Sequence, residues 1–551
     1  MNDNMNPEQN NVQNADMQNT AANMPPPTPT FPPPMPMGMN MGMGMPMPAP
    51  YVKPKTVFNK TEMIYSFAVF VLAFLFMRFA VFNVSGFVTT AVYIIISLAA
   101  AVFMKRSQAK FTARSRLTFA LQIAFSTVYS ITSNSFIKLL NTLFLIILLF
   151  FMLYQLSGEE QKIPRFLPVV LIKSVFEPFE NMSKQPEAAV QSVKKSKIGT
   201  NIGFVLIGLI MAIPITAVVG SLLMSADRGV EKMLYGVVDF IFSEDLKLVI
   251  AQLITAVPVS FYLFGALFSN AHKTAESRLT DEKCEASLLS WRRLHNAVIY
   301  SAVTPICVLY TLFFISQITY FTSAFSGRLP DGYSFAEYAR RGFFELLAIS
   351  IINLVIIILI NLLAKKGGKN PVLKGYTAVI CFFTLVIIAS ALSKMVLYVG
   401  VYGLTALRVY TSWFMILCAI FFILVLIGCF CDRIKLAKTF SFVFVVMFAL
   451  LAFSRPDYLI IKYNNMMHAS GELPHYSESY ALELSDDAYA AYLEDCEPDF
   501  DSVFVCNSLA DKAESYESDF YSRLNLSSMF VSKKLSGMEL PESTTVRPEF
   551  Y

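Results

Sequence analysis

Eleven apolar runs, each about 18–24 residues long, fill most of the chain between residues 63 and 455. A helix rises about 1.5 Å per residue and a bilayer core is about 30 Å thick, so each run is long enough to cross the core. The sequence therefore predicts an all-α, polytopic integral membrane protein. The predicted spans are 63–82, 86–104, 117–134, 136–156, 201–224, 247–268, 297–320, 343–364, 376–398, 411–430 and 437–454.

Composition divides the chain into five predicted parts. Proline and glycine block regular structure in the Met/Pro/Gly-rich opening, and this segment buries too little surface to offset chain entropy. We therefore expect it to be disordered. The five parts are this tail (1–60), a four-helix transmembrane part of two hairpins (61–160), a cytoplasmic or interfacial linker (161–200), a seven-helix transmembrane part (201–455) and a small acidic C-terminal domain (456–551).

The methionines between Met35 and Met47 have a second interpretation. Spaced thioethers suit Cu(I), but the same composition occurs in linkers that bind nothing, and we favour the linker. Elsewhere, Cys429 and Cys431 have neither a second cysteine pair nor a histidine cluster nearby. The sequence predicts no metal site and no cofactor.

The distribution of basic residues predicts the orientation. The N-terminal flank and the loops after even-numbered spans carry 27 Lys and Arg, against eight in the other loops. Because basic loops stay in the cytoplasm, we expect a multi-pass protein of the cell membrane with a cytoplasmic N-terminus. An odd number of spans then makes the C-terminal domain extracytoplasmic. An error of one span would reverse that side, and 437–454, which is short, is the weakest candidate.

The C-terminal domain is predicted to be a folded acidic unit on the membrane face. It carries seven Lys and Arg against 18 Asp and Glu beyond Phe453. Ser485 is a good N-cap before an acidic first turn, which predicts a short helix over 485–494. Cys496 and Cys506 either form a disulfide or remain two thiols. A second apolar segment, 166–179, is too short and too proline-rich to span, and is expected at the interface.

Ionisable and tyrosine side chains collect at the predicted outer ends of the spans. Charges there are costly in lipid and therefore informative. One interpretation is that they snorkel and form ion pairs that fix helix packing. The other is an outward cavity, because guanidinium groups and tyrosine hydroxyls suit an anionic lipid headgroup or a small anion. The candidate cluster comprises Asp227, Glu337, Arg340, Arg341, Glu345, Lys394, Tyr398, Tyr402 and Arg408.

Four blocks in the second half resemble a bacterial multi-pass membrane family. The blocks are Leu222–Asp227; Gln317–Tyr320 with Tyr338–Glu345; Ser390–Tyr398 with Tyr402–Tyr410; and Leu484–Ala488. Together they resemble the domain of unknown function of the DUF 4153/4173 type, over roughly 165–500. Lys394 stands where that pattern has Arg, which keeps the charge but loses the fork geometry. The resemblance implies a bacterial envelope protein and supplies no reaction.

The sequence favours a protein without enzymatic activity, because no catalytic, metal or nucleotide motif is present. The leading hypothesis is a sensory or scaffolding envelope module that contacts other envelope proteins through its C-terminal domain. A transporter or channel for an anionic or lipid-like solute is the alternative. A transferase on lipid-linked substrates, with Asp227 and Glu345 as its pair, is the third. Lipid is the expected surrounding, and nucleic-acid binding is not expected because basic stretches lack interleaved aromatics.

Overall fold

The computed structural model describes residues 56–84, 86–158, 164, 166–195, 219, 229, 232, 244–272, 281–291, 295–325, 343–364, 370–431, 434–473, 476, 479–498 and 500–538. Two compact units divide the chain after Val57, and all contacts below lie in the second unit, Phe58–Tyr551. Within the described ranges the secondary structure is helical and forms no strand, which confirms the predicted class.

The helices before the C-terminal domain follow the predicted runs closely. They are α1 (Lys60–Phe76, extended by a π-helical segment, Met77–Phe82), α2 (Gly86–Arg106), α3 (Ala113–Ser126), α4 (Val128–Ile131), α5 (Ser135–Leu156), α6 (Leu167–Glu180), α7 (Lys184–Lys195), α8 (Glu244–Ala271), α9 (Asp281–Trp291), α10 (Asn296–Phe325), α11 (Phe343–Leu363), α12 (Pro371–Tyr402), α13 (Ala406–Phe430) and α14 (Leu436–Phe453). In the part of the chain that the structure describes, nine of these are long and apolar enough to cross a bilayer: α1, α2, α5, α8 and α10 to α14.

Nine of the eleven predicted spans therefore correspond to such a helix, and the count of eleven is not confirmed. The run 201–224 lies outside the described residues. The run 117–134 forms α3 and α4, which are interrupted at Thr127. Even so, this pair follows α5 along its length in antiparallel order. Thr118 donates to the Gln155 side chain (2.9 Å), and the Asn141 amide donates to the Phe125 carbonyl oxygen (2.9 Å).

Small residues are among those buried between the helices, and many large apolar side chains are exposed. Ala73 and Ala452 are fully buried, whereas Phe430 and Phe442 are 80% and 69% exposed. Small residues allow close helix approach, and large apolar side chains on the outside suit lipid rather than water. The segment predicted at the interface forms α6, which packs on α8 through a hydrogen bond from the Tyr262 hydroxyl to the Val175 carbonyl oxygen (2.8 Å).

The C-terminal residues fold into a helical unit, which we call the cap domain (456–538). Its helices are α15 (Pro456–Ala469), α16 (Ser479–Leu482), α17 (Asp486–Asp495), α18 (Val503–Ser518), a 3₁₀ turn (Phe520–Arg523) and α19 (Leu526–Leu535). The predicted helix over 485–494 is confirmed as α17, with Ser485 at its N-cap. Ile461, Tyr492, Leu509 and Val531 form a fully buried core. The Cys506 thiol donates to the Phe500 carbonyl oxygen (3.1 Å), and no disulfide forms within the described ranges.

Candidate functional site

The short turn between α4 and α5 presents polar groups to the cap domain. Asn134 is the N-cap of α5, and its side-chain oxygen accepts a hydrogen bond from the Ile137 amide (2.9 Å). This cap fixes the preceding residues in an extended conformation, so that the Thr132 and Ser133 side chains are held beside α17. The turn was predicted only as a tight bend. It is also the place where the membrane helices meet the cap domain.

Asp487 forms the centre of the contact. Its side chain is fully buried, and both carboxylate oxygens accept hydrogen bonds. One oxygen accepts from the Thr132 hydroxyl and the Ser133 amide (3.3 Å), and the other accepts from Arg455 Nε (3.2 Å) and the Ser527 hydroxyl. These donors satisfy both oxygens of a carboxylate that is removed from water. The network therefore joins four separate segments through one charge.

Asp457 forms a second, less complete network beside the first. One of its oxygens accepts from the Asn134 amide (2.7 Å) and the Ser485 hydroxyl (2.6 Å), while the other is buried without a hydrogen-bond partner. Burial raises the pKa of the Asp457 carboxyl, and hydrogen bonds from Ser485 and Asn134 partly oppose that rise. The same Asn134 amide also donates to the Tyr410 hydroxyl (2.8 Å) at the start of α13. Asp457 is thus a protonatable group between cap and spans.

Two glycines allow the backbones of the two parts to touch. At Gly86 the next amide, that of Phe87, donates to the Leu524 carbonyl oxygen (2.8 Å). An added Cβ at Gly86 would collide with that oxygen and with Asn525. Gly403, between α12 and α13, has φ +72° and ψ −177°, a conformation that only glycine adopts readily. The neighbouring Leu404 exchanges two hydrogen bonds with the Asn464 side chain (2.7 and 2.9 Å).

The structure brings three members of the predicted outer cluster together. Arg408 Cζ lies 4.0 Å from the Tyr398 ring centroid, and the Tyr398 and Tyr402 rings are 5.1 Å apart. The Arg408 guanidinium donates to the carbonyl oxygens of Tyr402 (3.0 Å) and Gly403. The arginine thus closes the C-terminal end of α12, where a cation is favourable.

Two further members of that cluster lie in described helices. Lys394 is half-buried in α12, two turns before Tyr402, and Glu345 is exposed in the first turn of α11. Asp227, Glu337, Arg340 and Arg341 lie outside the described residues. The anion cavity built from these side chains therefore stays a prediction.

The arrangement suits mechanical coupling better than bond chemistry. Asp487 has its lone pairs occupied by donors, so it is a poor general base. Within the described ranges, no group of three or more His, Cys, Asp or Glu side chains could hold a metal ion. Asp457 can exchange a proton. Its carboxylate accepts a hydrogen bond from Asn134, which caps α5 and also donates to Tyr410 of α13, so a change in the charge of Asp457 would affect both helices.

The sequence argument missed the residues of both networks. The acidic first turn after Ser485 predicts only favourable charges at a helix N-terminus. One further signal is present: the block Leu484–Ala488 places two adjacent acidic residues directly before the apolar and aromatic run 488–493. Both aspartate side chains are buried (6% and 0% exposed), so these acidic residues belong to the interior of the fold and not to its solvent-exposed surface.

The fold and these networks define a class: a polytopic helical membrane protein with a helical cap domain attached to the ends of its spans. A family model described as a domain of unknown function (DUF4153) matches residues 119–494, and the chain belongs to that family. The match begins in α3 and ends in α17, so it includes Asn134, Asp457 and Asp487. No curated protein and no solved structure is similar enough to give a match.

Proposed function

We propose that the protein is a non-enzymatic sensory module of the bacterial cell membrane, in which the cap domain reads the extracytoplasmic face and passes its state to the spans. The observation that carries this proposal is the buried Asp487 network. It ties Thr132 and Ser133, directly before α5, to Asp487 and Ser527 of the cap domain and to Arg455 at the N-cap of α15. A charge shared in this way makes the two parts respond together, since breaking one link leaves a buried charge uncompensated.

A sensory role fits the contact better than a scaffolding role. Scaffolding needs only a stable exposed surface, whereas here the polar groups face inward, between cap and spans. The transporter alternative receives less support from the described spans. The Tyr310 hydroxyl there donates to the Asn353 side-chain oxygen (2.5 Å), and the Asn353 amide donates to the Thr384 hydroxyl (2.8 Å). These polar groups therefore hydrogen-bond to one another and do not need a solute as a partner.

The extracytoplasmic side rests on the basic loops. The cap domain contacts α2 at its Gly86 end, and the other end of α2 carries Lys105 and Arg106. If those basic residues face the cytoplasm, the cap domain faces outward. A phosphatase fused after Tyr551 should then be active and a fluorescent reporter fused there dark. The opposite pattern would place the cap domain in the cytoplasm, and the proposal that it senses the extracytoplasmic face would then be wrong.

The coupling is tested with a single-tryptophan protein. The chain has two tryptophans, Trp291 and Trp413, and Trp413 lies in α13 one turn from Tyr410, with its indole N–H donating to the Met447 carbonyl oxygen (2.9 Å). In a Trp291→Phe background in lipid nanodiscs, Asp487→Asn should shift the Trp413 emission, because the loosened cap releases Asn134 from Tyr410. Glu497→Gln, on the exposed cap surface, is the matched control. Identical spectra for all three proteins would refute the coupling.

A further inference from the structure

A polar cavity lies where the cap domain meets the ends of the spans. Its volume is about 260 Å³, slightly below the roughly 300–1,000 Å³ of drug-sized ligand pockets, so it suits a small polar group. Hydroxyl groups and two lysines line much of it. The residues that matter here are Lys138, Lys512, Asp486, Ser133, Ser135 and Ser528.

One cation at this cavity forms no ion pair within the described residues, although Asp486 and Asp487 attract it electrostatically. Asp486 is paired with Lys512, and it also accepts from the Tyr516 hydroxyl (2.7 Å) and the Ser528 hydroxyl. Asp487, behind the wall, is paired with Arg455 (3.2 Å). The Lys138 ammonium, by contrast, makes no hydrogen bond or ion pair with any residue that the structure describes. A partly buried ammonium without a partner is costly, and a bound anion would remove that cost.

The backbone around the cavity also contributes partial positive charge. Four helices begin at its wall: α2 at Gly86, α5 at Ser135, α17 at Asp486 and α19 after Asn525. Each has ten residues or more, and the partial positive charge at a helix N-terminus favours anions. The lysine and the helix ends thus favour the same kind of ligand.

We infer that this cavity binds a phosphate-type anion, either free or as the headgroup of an anionic lipid, with Lys138 as its principal ligand. The inference deepens the proposed function and rests on it for its consequence: an anion between cap and spans would set how tightly they dock. Hydroxyl groups of Ser133 and Ser135 can donate to phosphate oxygens alongside the ammonium. Phosphate and lipid headgroups share this chemistry, and the experiment separates them.

The test measures the thermal midpoint of the full chain in nanodiscs at constant ionic strength. One arm titrates inorganic phosphate into neutral phosphatidylcholine discs, and the other replaces part of that lipid with phosphatidylglycerol. Lys138→Gln is the variant, and Lys534→Gln, an exposed lysine of α19, is the matched control. Phosphate or phosphatidylglycerol should raise the midpoint of the wild type and the control. Lys138→Gln should bind at least about tenfold more weakly, as expected when a charge-assisted contact is lost.

The responses to phosphate and to phosphatidylglycerol either support the anion site or exclude it. A response to phosphate in neutral discs supports a small-anion site, and a response to phosphatidylglycerol alone supports a headgroup site. No response in either arm, or an equal response from Lys138→Gln, overturns the inference. Because the lysine has no described partner, Lys138→Gln should be at least as stable as the wild type without anion, so weak binding will not reflect misfolding. If phosphate binds but leaves Trp413 emission unchanged, the anion site stands and the sensory coupling fails.

Discussion

Replacing Gly86 by alanine should detach the cap domain while improving the helix that carries the mutation. An added Cβ would lie 2.5 Å from Asn525 Cβ and 2.8 Å from the Tyr129 carbonyl oxygen, and it would also overlap the Leu524 carbonyl oxygen. Two of these atoms are backbone: the Leu524 oxygen yields only if the cap domain moves, and the Tyr129 oxygen only if α4 moves. Overpacking of this kind costs about 1–3 kcal/mol, whereas alanine favours a helix over glycine by about 1 kcal/mol or less.

Amide hydrogen exchange measures the result directly. The Phe87 amide is protected only by the Leu524 carbonyl oxygen of the cap domain, so its exchange follows the fraction of detached molecules. A loss of about 1–3 kcal/mol should speed that exchange about fivefold to hundredfold. Gly400→Ala is the matched control, because it lies in α12 with no atom within 4 Å of an added Cβ. Equal exchange at Phe87 in Gly86→Ala and wild type would refute the close approach on which the docking argument depends.

Three further results follow from the same contacts. Asp487→Asn should lower the free energy of unfolding by about 3–5 kcal/mol, because it removes one partner of a buried charge pair. Asp457→Asn should change it by less than about 1 kcal/mol, since an amide oxygen still accepts from Asn134 and Ser485; denaturant titration of both variants checks this. Because burial raises the Asp457 pKa, the contribution of Asp457 to docking should be largest at acid pH and be lost as pH rises through the raised pKa. Asp457→Asn should lack that component, and a wild-type pH profile retained in the variant would contradict it. Arg408→Gln should speed exchange at Leu404 by about fivefold to tenfold, the loss of about 1 kcal/mol, and leave exchange at Phe87 unchanged.

The spans were predictable from the sequence because their signal is local. A long apolar run must be helical in lipid wherever its neighbours lie, and nine predicted runs match described helices within a few residues at most ends. The run 117–134 was harder, because Arg114 and Arg116 stand in its first turn and the helix is interrupted at Thr127. Its place beside α5 depends on polar pairing with Gln155, which hydropathy does not register.

The candidate site was much less predictable because its partners are far apart in the chain. Thr132 and Asp487 are separated by 355 residues, and each has a local explanation, as a turn residue and as a helix-end charge. Arg408 illustrates the converse. Its position at an outer helix end was predicted, but the structure uses its guanidinium to close α12, an arrangement that depends on the glycine-only conformation at Gly403. Local patterns thus located the ends of the helices without revealing which groups meet there.

The central claim is that the turn at 131–135 and helix α17 form one cooperative unit across the boundary between spans and cap. Hydrogen exchange on the full chain in nanodiscs tests it most directly. The account predicts that Asp487→Asn accelerates exchange in both segments by the same factor, because one buried charge holds them. Faster exchange in Asp486–Asp495 with an unchanged turn would contradict it, and the cap domain would then be a separate body tethered to the membrane.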